Sequence, residues 1–404
     1  MNAKDTTRHN ISQLSALAQI VYRRIPPRLR WVAGALAFCW LLPLLRLEVW
    51  IVEGDELSSR MPLSILCAAS GRTKSFLLGL TFGDSFRERY LGRAWLWNIP
   101  KVIAEKGQNC TIAMVEVCTF HRILLRTTNW FYIPGWVAGE VDIPCGPAVM
   151  KNESIRSDLR RVRKHRLQCE VTRDPKRFDD FYHNMYVPYI TKAHGGSAYI
   201  IPYQAMARQL RYCDLLLVKK QEMHIAGILI VYDKRCPRLW SLGIRDGNPD
   251  YLREGVVSAL FHYSVQYLEK KCYTKVCFGL SRAFLRDGVL RYKKKWSQKI
   301  VDTIPYGFAM KVLSCTPATK AFLLNNPFIF ESRGIMHSAV FIDAEKPLSV
   351  EELELIDKSH FLPGLSKLFI YHFQSGEVCK HDAALPGLAQ RIVLCSAEDV
   401  ICRM

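Results

Sequence analysis

The chain has 404 residues, 49% of them apolar and 23% charged, and carries a formal net charge of +19. This length suits two domains or one large domain with an appendage, and the composition excludes a disordered or collagen-like chain. Lys and Arg outnumber Asp and Glu by 17 to 11 over residues 1–150 and by 30 to 14 over 151–300, but are outnumbered 9 to 12 over 301–404. The basic middle segment attracts phosphates, whether in nucleic acid, nucleotide-linked substrates, cofactors or anionic lipid.

The 14 cysteines are scattered, with no CxxC pair and no Cys/His cluster of the zinc type. They read as small buried hydrophobes in a reducing, cytoplasmic compartment, with neither a disulfide framework nor a metal site. Near the N-terminus, "WVAGALAFCWLLPLL" (31–45) follows Arg23, Arg24, Arg28 and Arg30 and is closed by Arg46. The stretch is interrupted by Pro43 and falls short of the roughly 20 residues that span a bilayer as a helix. No small-x-small cleavage site follows it. A core helix, a membrane-surface anchor with a basic flank over 23–46, and a short span all fit residues 1–48.

"SFLLGLTFG" (75–83) and "TIAMVEVCTF" (111–120) read as buried strands around a helical stretch at 85–107, and the aromatic "NWFYIPGWVAGEVDIP" (129–144) leads into the basic part. "NESIRSDLRRVRKHRL" (152–167) is a helix with a narrow apolar stripe of Ile155, Leu159 and Val162 and a basic exterior. "CEVT" (169–172) is a short strand, and Asp174-Pro175 starts a helix with Phe178, Phe181, Tyr182, Met185 and Tyr189 on one face. "DLLLVKKQEMHIAGILIVYD" (214–233) has the two apolar runs and polar turn of an antiparallel hairpin. A strand at 238–246, a helix at 250–271, a strand at 274–280, a helix capped by Asp287, and a strand at 303–313 complete an α/β order, in which a meander feeds a parallel pair through one helix.

Within "FGLSRAFLRDGVLRYKKKWSQ" (278–298), Val289, Tyr292 and Trp296 fall on one apolar stripe, and Lys293 alone of the three lysines shares it. The spacing sends Lys294, Lys295 and Arg291 toward solvent. Lys293 either lays its stem along that face and snorkels to water or faces a site.

The stretches 157–196 and 278–298 resemble the FemABX-like branch of the GNAT acyltransferase fold, including bacterial FemAB-related and cellulose-biosynthesis-type acyltransferases. The resemblance covers residues 150–315 well, 50–145 weakly and the last 60 residues hardly at all. It implies an α/β mixed sheet in two tandem GNAT-like units: a degenerate unit at 49–148, a catalytic unit at 149–345 and an extension at 346–404. In the family pattern an aromatic-Lys-x-x-Trp/Phe-Gly element lies where a phosphate-bearing substrate docks. Tyr292, Lys293 and Trp296 match it, with Ser297 standing where the pattern has glycine. His194, Gly195 and Gly196 also match the branch, and the residue types equally allow a plain loop. "GIRDGNPDYLREGV" (243–256) departs from an acetyl-CoA-binding turn, offering Gly247 beside Asp246 and Asp250, two carboxylates that repel a pyrophosphate at a helix end. Acyl-CoA and aminoacyl-tRNA therefore both stand as donors.

Acyl transfer needs a placed acceptor, removal of one proton and stabilisation of an oxyanion, and no covalent nucleophile. Candidates for proton handling are Asp246 at a strand end, His262 and Glu254 on the next helix, and Tyr292. A capping role for Asp246 and a structural role for His262 are the plain alternatives. Arg160, Arg161 and Lys164 are candidates for contacts to a diphosphate or a tRNA backbone, or form a solvated face. The leading expectation is an N- or O-acyltransferase acting on a phosphate-bearing or polysaccharide-linked acceptor, cytoplasmic or peripheral at the inner face of the membrane. A tRNA-dependent aminoacyltransferase and a non-catalytic GNAT-fold nucleic-acid-binding or scaffold protein are the alternatives.

Overall fold

The computed structural model describes residues 45–401, leaving out 84, 120, 126–128, 196–199, 233–235, 305, 344–347 and 374–389. The N-terminal segment up to residue 44 therefore lies outside the described residues, as does Gly196. No helix among the described residues is long and apolar enough to cross a membrane.

In chain order the first strands are β1 (Arg46–Asp55), β2 (Pro62–Ala68), β3 (Phe86–Trp95), β4 (Ile112–Cys118), β5 (Phe131–Pro134) and β6 (Val137–Asp142). The middle segment contributes β7 (Gln168–Thr172), β8 (Cys213–Lys220), β9 (Met223–Tyr232), β10 (Pro237–Ile244), β11 (Lys275–Ser281) and β12 (Lys299–Thr303). The chain closes with β13 (Tyr306–Val312), β14 (Phe328–Ser332), β15 (Ile335–Ile342), β16 (Leu368–His372) and β17 (Ile392–Ser396). These build a ten-stranded sheet, β17-β16-β15-β14-β5-β13-β4-β2-β1-β3, and a seven-stranded sheet, β12-β6-β11-β10-β9-β8-β7.

Each sheet contains the same run: an antiparallel hairpin, a parallel pair, an inserted strand antiparallel to its neighbours, and a final strand. In one sheet the parallel pair is β2 and β4 and the insert is β13; in the other the pair is β10 and β11 and the insert is β6. The second sheet is built from the contiguous run β6–β12, inserted in the chain between β5 and β13 of the first sheet. The two crossing segments touch, with Gly135 N–H donating to Tyr306 O at 3.0 Å and Ile304 N–H donating to Trp136 O at 3.1 Å. A Cβ on Gly307 would stand 2.1 Å from Ile133 O, so only glycine lets the strands pass this closely.

The two-unit mixed α/β architecture is the one expected. In the second unit the expected order holds from the helix α3 (Glu153–Lys164), capped by Asn152, through the hairpin β8–β9 to β10 and β11. Its core joins Ile155 and Val162 of α3 to Val256, Leu260 and Phe261 of α5 (Val256–Lys270) and to Phe278 of β11. The opposite face is covered by a continuous helical run, Pro175–Asp180, a π-helical turn at Phe181–Tyr186 and α4 (Val187–His194), which buries Phe178, Phe181 and Met185.

The first unit corrects the sequence reading. Residues 75–83 lie mostly within α1 (Gly71–Thr81) instead of a strand, and 85–107 divides into the edge strand β3 and the helix α2 (Ile99–Lys106). A short apolar run does not distinguish a buried helix from a strand, and β3 is too exposed and charged to alternate visibly.

Candidate active site

The parallel pair β10 and β11 is bridged at one place, Arg238 opposite Cys277. From there toward their carboxyl ends, Ser241–Ile244 pair with β9, and β11 pairs with β6 across an irregularity between Cys277 and Leu280. The strands thus splay into an opening at the end of the sheet where α/β proteins commonly bind ligands. Gly279, at φ +73°, sits in that irregularity. A Cβ there would approach Leu239 O to 2.8 Å and Lys293 Nζ to 4.0 Å.

The chain turns from β11 into α6 (Gly288–Lys294), whose first turn is capped by the Asp287 carboxylate accepting from Leu290 N–H at 2.8 Å. Lys293 is 4% exposed, and its ammonium donates to Leu280 O at 2.8 Å. No carboxylate pairs with it among the described residues. Burial pushes Lys293 down to about 8, with Cys277 and Asp287 pulling the other way.

The rest of the triple-lysine segment departs from the periodicity reading. Val289 is 49% exposed and Leu290 takes the buried position, because the helix starts at Gly288 and ends by Lys294. Lys294 does not point to solvent. It donates to Lys358 O at 2.7 Å and Ser359 O at 2.8 Å in the last turn of the helix Val350–His360, and burial pushes it down to about 8. Lys295 lies 5.6 Å from the Tyr292 ring centre. Ser297 adopts φ +57°, the left-handed conformation that glycine favours, which accounts for the residue type the family pattern has there.

Tyr292 anchors α6 to α5 through its hydroxyl, 2.9 Å from Ser258 Oγ. Ser258 donates in turn to Asp158 Oδ2 at 3.0 Å, and Asp158 is ion-paired with Arg161, which also reaches Arg253 O. Burial pushes the Tyr292 phenol up to about 12, with the Ser258 bond opposing, so the hydroxyl stays protonated at neutral pH. Trp296 is buried against Phe261 and Phe278. The structure therefore links the exposed Arg161 to Tyr292, which stands beside the buried Lys293 and Trp296, and does so through two further residues, Ser258 and Asp158. No motif announces these last two: Ser258 is a hydroxyl on the buried face of α5, and Asp158 is one acid in a basic helix.

The remaining candidates lie apart from that group. Asp246 is exposed in the turn after β10 at φ +55°, and Lys192 of α4 donates to its carbonyl at 2.7 Å. It does not cap the next helix; Asn248 does, accepting from Asp250 N–H. His262 is half-buried beside Tyr263 and Arg163, and burial lowers its pKa, leaving it neutral. His194 ends α4 and Gly195 follows at φ +51°. Glu254 is taken by Lys220 at 2.7 Å. Arg160 and Lys164 are exposed on α3, with no ion-pair partner among the described residues.

No protein-family model and no curated protein matches the chain. Among solved structures it is similar to the C-terminal DUF2156 domain of an Agrobacterium fabrum protein, at 14% identity and a TM-score of 0.34, covering 68% of this chain and 83% of that one. It is also similar to L-PGS from Bacillus licheniformis, at 12% identity and TM-score 0.32, covering 64% and 82%. The third is FemX, at 12% identity and TM-score 0.32, covering 65% and 84%. The branch named from the sequence is thus represented among the structural neighbours. At these TM-scores, however, the strand order described above carries the fold assignment.

Proposed function

We propose that the chain is an acyltransferase working in the opening between β10 and β11, transferring an acetyl or aminoacyl group to an amine or hydroxyl of a phosphate-bearing or polysaccharide-linked acceptor. The observation that carries this reading is the single-bridge splay of the parallel pair, with Lys293 buried at its edge and lacking a carboxylate partner. The acceptor attacks the donor carbonyl and gives up one proton to water or substrate, and the new oxyanion needs a preorganised donor of hydrogen bonds or positive charge. Its collapse breaks the bond to the donor's carrier, which leaves as the free thiol of CoA or the free hydroxyl of tRNA and takes up the proton. Lys293 meets the charge requirement when protonated, and the Tyr292–Ser258–Asp158 chain fixes its helix.

For the donor, α5 begins at Gly255 packed against α3, where a Cβ would stand 3.4 Å from Asp158 O and from Arg161 Cβ. That helix N-terminus is covered, which favours a donor whose phosphates seat elsewhere than in the usual acyl-CoA position. The exposed Arg156, Arg160, Arg163 and Lys164 of α3 favour aminoacyl-tRNA as the second reading. The test is product detection by mass spectrometry after incubating the full chain with acetyl-CoA or aminoacyl-tRNA and phosphate-bearing amines and alcohols. Transfer that falls at least tenfold in Lys293→Ala supports the reading; no transfer from either donor class above the level of that variant sinks it.

A further inference from the structure

No motif singles out Arg282, the residue that follows β11. Its guanidinium lies over two aromatic rings, 3.8 Å from the Phe76 ring centre and 4.0 Å from that of Trp136. Phe76 belongs to α1 of the first unit and Trp136 to the chain crossing, so this cation sits at the joint between the units. Its polar edge makes one contact, to Gly135 O at 3.4 Å, and no carboxylate pairs with it among the described residues. The nearby carboxylate, Asp287, is committed to capping α6.

Rings packed against a planar guanidinium leave its rim of N–H donors, the fork that matches phosphate or carboxylate in two-point contacts. A half-buried cation without a counter-ion is costly, and burial accordingly pushes Arg282 down to about 10. Lys293 is in the same condition, and Asp287 acts on both. Two desolvated cations without carboxylate partners therefore flank one helix cap at the carboxyl end of β11. An anion arriving with the substrate supplies what the protein withholds.

We propose that Arg282 is a substrate-anchoring residue that grips a phosphate or diphosphate group at the joint between the two units. This rests on the acyl-transfer reading only in placing the substrate in the β10–β11 opening. The competing role is a purely structural rivet between Phe76 and Trp136.

Inorganic pyrophosphate titrated calorimetrically into the full chain separates the two roles, with Arg282→Lys, Arg282→Ala and the exposed control Lys101→Ala. Arg282→Ala is expected to weaken binding ten- to a hundredfold. Arg282→Lys keeps the charge but loses the fork and the stacking, and is expected to recover little of that affinity while melting near the wild type. Absence of pyrophosphate binding to the wild type, or wild-type affinity in Arg282→Lys, overturns the proposal whatever the melting temperatures. If the Arg282 variants lose pyrophosphate and the chain transfers no acyl group, the anion site stands and the acyl-transfer reading falls. If transfer occurs with an acceptor KM indifferent to Arg282→Lys, the reverse holds.

Discussion

Replacing Lys293 with methionine should make the protein more stable at pH 7 while removing its anion site. The ammonium is 4% exposed and held near pKa 8 against an ordinary value of 10.5. A tenfold change in proton affinity corresponds to about 1.4 kcal/mol, so keeping this lysine charged in the folded state costs about 3 kcal/mol at neutral pH. Methionine preserves most of the apolar stem but gives up the bond to Leu280 O, worth about 1 kcal/mol. The net expectation is a gain of about 2 kcal/mol. Its pH dependence follows from linkage: between about 8 and 10.5 the unfolded chain holds a proton on Lys293 that the folded chain has released. Wild-type stability relative to the variant therefore rises across that window, and the deficit is fully present only below about pH 8. Urea denaturation of both proteins at pH 7, 8, 9 and 10 reads this directly. Equal stability at pH 7, or curves that stay parallel to pH 10, would mean that Lys293 is not desolvated as described.

Asp214, 2% exposed, accepts from Arg173, Lys271, Tyr232 and Tyr267, and these hydrogen bonds hold its carboxyl well below the usual carboxylate range despite burial. Asp214→Asn should cost about 2 kcal/mol by thermal or urea melting, because Tyr232 and Tyr267 lose a charged acceptor, while Arg173 and Lys271 are exposed enough to turn to water. The wild-type advantage should vanish only as pH falls through the depressed folded pKa, and its persistence unchanged into strong acid would contradict this assignment. Gly279→Ala meets both a positive φ and the 2.8 Å approach to Leu239 O, so it should destabilise by about 2 kcal/mol and narrow the opening. A variant as stable and as active as the wild type would show that the opening tolerates filling.

How much of the fold and site is legible in the sequence follows the strength of local signals. The second unit can be read because its elements announce themselves: caps at Asn152, Asp174, Asn248 and Asp287, a hairpin with a polar turn, and strands bounded by turns. Periodicity singles out Lys293 among three lysines even though the stripe is misphased at Val289 and Leu290, because one helical turn still carries residue 293 inward. The first unit is obscure because β1 and β3 mix charged and apolar residues, because β2 is a short apolar run without alternation, and because half its sheet comes from beyond residue 300. Ser258 bonds Asp158 and Tyr292 across 100 and 34 positions, and Arg282 stacks on Phe76 and Trp136 from elsewhere in the chain, encounters that no periodicity encodes.

The insertion of the whole β6–β12 sheet between β5 and β13 bears on how the chain is made. During synthesis the first sheet has a vacancy between β4 and β5 until β13 emerges, and β6 waits without its partners β11 and β12. The seven-stranded sheet has all its strands once β12 emerges, whereas the ten-stranded sheet stays open until β13 and the strands after it follow, so the nascent first unit carries unpaired strand edges of the kind that recruit wrong neighbours. A cut near residue 135 or 305 therefore divides the strands of the ten-stranded sheet, while the stretch between the two cuts keeps every strand of the seven-stranded one.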